Sequence, residues 1–163
     1  MRATKLGVVL LTLAMLAGAE PGAAQTSPAA TSAEAPVVTE ARAFMASYAR
    51  DLSAGDRAAI AARYDRRGAH FLGGGERTTM SHAQIVAHYA GPNWGPPAAF
   101  EWRELLYEPL GPDAVAVTGL FTWTVAAGQP PRIFSYTGLL IRQDGALRIR
   151  IEDEDPTPSP RPR

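Results

Sequence analysis

The 163 residues contain no cysteine. That absence excludes a thiolate nucleophile, thiolate metal sites, disulfides and a lipid-modified N-terminal cysteine. Lysine is nearly missing as well, because Lys5 is the only one. Net charge is zero, so the chain has no electrostatic reason to gather on nucleic acid or an anionic membrane. A long apolar run is also lacking. The run from Leu6 to Ala17 falls short of the roughly 20 residues that span a bilayer. It follows Arg2 and Lys5 and precedes small residues, which is the layout of a secretory signal peptide. Cleavage fits after Ala19 or Ala24, and the second is preferred. The expected product is secreted or periplasmic, with no membrane attachment after cleavage. It keeps 14 basic and 15 acidic residues and no lysine, which rules out Schiff-base chemistry. The Gly73-Gly74-Gly75 loop has no lysine or strand–helix context for phosphate binding and reads as a lip. No serine sits in a nucleophile elbow.

What is present divides the chain in four. Residues 1–24 form the signal peptide and 25–36, "QTSPAATSAEAP", a flexible linker. Residues 37–155 form one domain, and 156–163, "PTPSPRPR", a proline-rich tail. At roughly 115–120 residues the domain can bury an adequate core. Helices come first. Val38, Ala41, Phe44, Met45, Tyr48, Ala49 and Leu52 recur at helical spacing, with Gly55 as a stop and Asp56 as the next cap. Arg57–Tyr64 is a second short helix. Ala69–Leu72 reads as a brief strand, and a Ser81–Gln84 capping box opens a third helix to about Ala90. Strands follow: Phe100–Leu110, Ala114–Val125, Ile133–Arg142 and Ala146–Asp153, joined by turns that include Asp144-Gly145. Helices followed by an antiparallel meander make an α+β fold with the helices on one face of the sheet.

Several stretches match one family in order. They are "YARDLSAGDRAAIAARYD", "MSHAQIVAHYAG", "EPLGPDAVAVTGLFTW" and "YTGLLIRQDGALRIRIEDED". Together they resemble the SnoaL-like domains of the nuclear transport factor 2-like superfamily, over about Val38 to Asp155. The resemblance implies a cone: a curved sheet wraps three helices and leaves a hydrophobic pocket at the open end. Many relatives close the last hairpin with Asp-His and then Ser. Here that stretch is Glu152, Asp153, Glu154 and Asp155, so a mechanism built on that imidazole does not carry over.

Strict alternation along the last strand puts Asp153 on the face of Leu147, Ile149 and Ile151, directed into the cone. Desolvation there would raise its pKa and make it a general acid or base. Glu152 is then expected outside, paired with Arg148 and Arg150. His70 is the second acid–base candidate. Tyr48, Tyr64, His88, Trp102, Trp123 and Tyr136 are candidate pocket residues, since such aromatics line pockets and hydrogen-bond ligands. Asp65 reads as a backbone cap. The four acids do not read as a metal site, because only Asp153 and Asp155 share a side, roughly 6.5–7 Å apart along the strand.

Two functions remain open. One is a small-molecule enzyme of the isomerase, cyclase or dehydratase type, with Asp153 as acid or base and no cofactor required. The other is a non-catalytic ligand-binding or dimerisation module, with the outer face of the sheet available for a homodimer. A small-molecule ligand is common to both.

Overall fold

The structure is a computed structural model that describes residues 34–157. The expected signal peptide, most of the linker and nearly all of the tail lie outside the described residues. The helix α1 (Pro36–Ala54) carries proline in its first turn, where the missing N–H has no intrahelical partner to lose. It ends at Gly55, whose φ of 67° places it in the left-handed region that glycine tolerates best. Asp56 caps α2 (Arg57–Ala62), its side chain accepting from the Ala59 N–H at 3.0 Å. The expected capping box opens α3 (His82–Ala90), with Ser81 and Gln84 each serving the other's backbone.

Six strands form one sheet: β1 (Ala69–Gly73), β2 (Glu76–Met80), β3 (Ala99–Pro109), β4 (Ala114–Thr124), β5 (Arg132–Gln143) and β6 (Ala146–Pro156). Their order is β2-β1-β6-β5-β4-β3. Every pairing is antiparallel except β1 with β6. The strand β2 was not expected. Its sequence, "ERTTM", has little apolar content, and it forms a hairpin with β1 through the Gly74-Gly75 turn at the sheet's edge.

The helices lie against one face of the sheet. On α1, Val38, Ala41, Met45, Tyr48 and Leu52 are buried, as are Val115, Val117, Leu140, Leu147 and Ile149 on the strands. Each of the valine, leucine, isoleucine and methionine side chains among these contributes about 1.5–3 kcal/mol through removal from water. The Trp102 indole N–H donates to the Met45 carbonyl at 3.0 Å, fixing α1 to β3.

One irregularity decides the placement of the site. The turn starts the β5–β6 ladder at Gln143↔Ala146, and pairing continues to Leu140↔Ile149. The next pair is Leu139↔Ile151, which leaves Arg150 as an extra residue. This β-bulge coincides with a change of neighbour on the other edge of β6. The backbone of Ile149 exchanges hydrogen bonds with Arg63 and Asp65, at 2.8 and 3.0 Å. From Ile151 to Asp153, β6 pairs instead with β1. Beyond the bulge the alternation is inverted: Glu152 lies opposite Gly138 and Glu154 opposite Tyr136 on the inner face, while Asp153 lies opposite Thr137 on the outer one.

Candidate functional site

A cavity of about 400 Å³ opens at the end of the sheet that holds the distal half of β6. Its walls are mostly aromatic: Phe71 from β1, Tyr89 from α3, Trp94 from the α3–β3 loop, Phe121 and Trp123 from β4, and Phe134 from β5 are among the rings. The rings pack edge-on and offset, as with Phe121 and Phe134, whose centroids are 4.9 Å apart. The Trp94 lip is held by Arg57, whose guanidinium donates to the carbonyls of Tyr89, Gly91 and Trp94 at 2.6, 2.7 and 2.8 Å.

Glu152 faces this cavity and is 4% exposed. The Tyr64 hydroxyl donates to its Oε2 at 2.5 Å, and the Tyr48 hydroxyl lies 3.4 Å from Oε1. Tyr64 also contacts the hydroxyls of Tyr89 at 2.7 Å and Tyr48 at 3.0 Å. Since Tyr64 has one hydrogen and gives it to Glu152, Tyr89 must donate to Tyr64. The hydrogen-bond chain therefore runs from the donor Tyr89 on α3 through Tyr64, just beyond α2, to the accepting Glu152 carboxylate on β6.

No arginine or histidine pairs with Glu152 among the described residues. Burial raises its pKa to about 7, only partly opposed by the tyrosine hydrogen bonds. Burial, and after it the Glu152 charge, pushes the Tyr48, Tyr64, Tyr89 and Tyr136 hydroxyls above their ordinary value. They stay protonated and available as donors. Glu154 also lines the cavity, nearer its mouth. Its surface is open to solvent, yet the walls crowd its carboxyl. That enclosure, with the charges of Glu152 and Asp153, pushes its pKa up. Glu154 is exposed whereas Glu152 is 4% exposed, so Glu152 is the better insulated of the two. The Tyr136 hydroxyl is buried beside Glu152 and Gly138 but finds no partner at hydrogen-bond geometry. A methyl group at Gly138 would come within 2.4 Å of that oxygen, so glycine is what lets the ring lie there.

The expected acid–base residues stand elsewhere. Asp153 is on the outer face, half-buried beside Leu72, Gly73 and Arg77, with one carboxyl oxygen sealed off and unpartnered. The bulge at Arg150 turned it out of the cone and brought Glu152 in. Glu152 accordingly makes no surface pair: Arg148 and Arg150 reach the carbonyls of Leu147 and Gly68 instead. His70 also points away from the cavity. It alternates with Ala69 and Phe71, which face inward, and its Nδ1 lies 2.9 Å from the Thr79 hydroxyl. Of the candidate pocket residues, Tyr48, His88 and Trp123 line the cavity. Tyr64, Trp102 and Tyr136 form the wall behind it, with Trp102 4.7 Å from Tyr136 and 6.0 Å from Tyr48 between ring centroids. Among the described residues, no group of three or more His, Asp or Glu is placed to hold a metal ion.

No family model matches the chain, and neither does any curated protein. Solved structures do. An NTF-2-like protein of unknown function from Shewanella oneidensis MR-1 superposes with a TM-score of 0.61 at 14% identity, covering 73% of this chain and 98% of that one. The fold is nuclear transport factor 2-like. A ketosteroid isomerase-like protein from Erwinia carotovora atroseptica superposes at 0.58, with 15% identity over 76% of this chain and 98% of its own. A Novosphingobium aromaticivorans protein put forward as a scytalone dehydratase gives 0.59, with 12% identity over 75% and 85%. At such identities the likeness to these proteins speaks for the fold alone.

Proposed function

We propose that this protein is an acid–base catalyst of the isomerase or dehydratase type, acting on a small, largely apolar molecule, with Glu152 as the group that moves the proton. One observation carries the reading: a buried carboxylate without a cationic partner among the described residues faces an aromatic cavity, where burial pushes its pKa up to about 7. As a carboxylate it can take a proton from a carbon acid, and as the acid it can return one. The Tyr89 hydrogen is already given to Tyr64, but the Asn93 amide lines the same cavity and can give a hydrogen bond to a substrate oxygen as charge develops there. Two of the superposing proteins are described as a ketosteroid isomerase-like protein and a proposed scytalone dehydratase, which agrees with this class of reaction. Residues 1–24 support an exported setting, and the uncharged strip of Ala116, Thr118, Leu120 and Thr122 on the outer face of β4 leaves room for a homodimer.

The competing reading is ligand binding without turnover. It is favoured by the tyrosine hydrogens already committed to Glu152. A generic probe decides between them. In 5-nitrobenzisoxazole a desolvated carboxylate removes the ring C–H proton while the N–O bond breaks, releasing a coloured phenolate. The protein should accelerate this reaction with a rate rising through pH about 7. Glu152→Gln should lower it at least about 100-fold, and Asp153→Asn should leave it within about twofold. Equal loss in both variants, or no acceleration at all, overturns the catalytic reading.

A further inference from the structure

Resting on the reading of the cavity as a ligand site, we propose that it takes a small organic cation, an alkyl- or arylammonium group held between the aromatic faces and the Glu152 and Glu154 carboxylates.

Two features of the cavity converge on this ligand. First, the charge inside it is of one sign and unpaired. Glu152 and Glu154 stand two residues apart on the inner face of β6, and neither has an ion-pair partner among the described residues. Tyrosine hydroxyls serve Glu152, but among the described residues no side chain serves Glu154. Two carboxylates behind low-dielectric walls repel each other, and a ligand cation between them would relieve that repulsion. Second, the walls have the faces a cation uses. Eight of the lining residues are aromatic, two of them indoles. Two of these rings already carry protein guanidinium groups, Arg57 over Trp94 at 5.2 Å and Arg132 over Phe134 at 5.4 Å. Trp123, Phe100 and Tyr89 carry none among the described residues and remain free for a ligand.

Among the described residues, the single arginine lining the cavity is Arg132. It is exposed and opens β5 at the mouth. An anion drawn to it would stay in solvent, where screening is strong, and would meet Glu154 and then Glu152 on going deeper. Arg132 therefore does not make the interior an anion site. It also marks where a longer ligand could end in a polar group outside the aromatic section.

Three isosteres that differ in charge test this directly: choline, 3,3-dimethylbutan-1-ol and 3,3-dimethylbutanoate. Binding is followed by calorimetry and by the fluorescence of Trp94 and Trp123. Choline should bind at least tenfold tighter than the alcohol, and the butanoate should bind weakest. Glu154→Gln should shrink the preference for choline below about threefold while leaving the affinity for the alcohol unchanged, which also reports that the variant is folded. Trp123→Leu should weaken choline more than the alcohol. An alcohol that binds as tightly as choline, or a butanoate that binds best, overturns the cation proposal and leaves the cavity as a ligand site. Absence of binding by all three at millimolar concentration overturns both.

Discussion

Asp65 and Glu152 are both closed off from solvent, at 0% and 4% exposure, yet their ionisation is driven in opposite directions. The Asp65 carboxylate takes the Arg67 guanidinium at 2.7 Å, the Arg67 backbone N–H at 2.7 Å and the Gln143 amide at 3.0 Å. The Arg67 hydrogen bonds come first among the causes that hold its pKa at about 2. Its cover is a thin lid of polar side chains at the surface rather than depth, so burial is a small opposing effect. Glu152 lies among tyrosines, with hydroxyl donors and no cation, and rises to about 7. Loss of water does not by itself decide the charge of a carboxylate. The donors that replace the water do.

That contrast can be broken in several places. The largest effect is expected at Glu152. Its carboxyl ionises near 4.5 in the unfolded chain and near 7 in the folded one, so between those values the folded state holds more protons. Stability should fall as pH rises through that window, by up to about 3 kcal/mol. Glu152→Gln should remove the slope: urea denaturation should find variant and parent alike at pH 4 and the variant more stable at pH 8. A slope that survives the substitution would assign it to other groups. Next is the converse. Phe71 pairs with Glu152 across β1 and β6, and Phe71→Lys would offer the carboxylate the kind of partner Asp65 enjoys. The carbon-13 titration of Glu152 should then move back toward the ordinary range, and acceleration of the benzisoxazole reaction should drop at least about tenfold as the base weakens.

Asp65→Asn should cost about 1–2 kcal/mol at neutral pH, read from the urea midpoint. The parent's advantage is fully present above about pH 4 and is lost as pH falls through about 2, because the folded pKa lies below the unfolded one. A variant that matches its parent at neutral pH would mean that the lid is ornamental. The smallest effect is expected at Tyr64. Its hydrogen bond lowers the Glu152 pKa against burial, so Tyr64→Phe should raise it further, by about one unit or less. The pH–rate profile should shift to higher pH by the same amount; a shift the other way would mean that the Tyr64 hydroxyl acts as acceptor.

The helices were legible because their signals are local: the Gly55 stop of α1, the Asp56 cap and the Ser81–Gln84 box all sit where the spacing put them, although Pro36, read as linker, opens α1. The four long strands followed from alternation and turns. The inner face of β6 did not. An unbroken ladder from the Asp144-Gly145 turn would set Tyr136 opposite Asp153, and the bulge at Arg150 sets it opposite Glu154. Nothing in "LRIRIEDED" marks that extra residue, because isoleucines and arginines alternate through it unchanged. The bulge arises from contacts distant in sequence, with Arg63 and Asp65 on one side of it and β1 on the other. A fault of one residue therefore moved the expected carboxylate by one place, while the aromatic surroundings, which depend on strands paired without a fault, were read largely as they stand.

The three carbonyls gathered by Arg57 have a mechanical consequence. The lip bearing Trp94 contains glycine and proline on both sides and would otherwise be free to swing, but it is moored to α2. Fluctuations that admit a molecule past Trp94 should therefore be tied to α2 working loose, and amide hydrogen exchange in the two segments should speed up together when that mooring is cut.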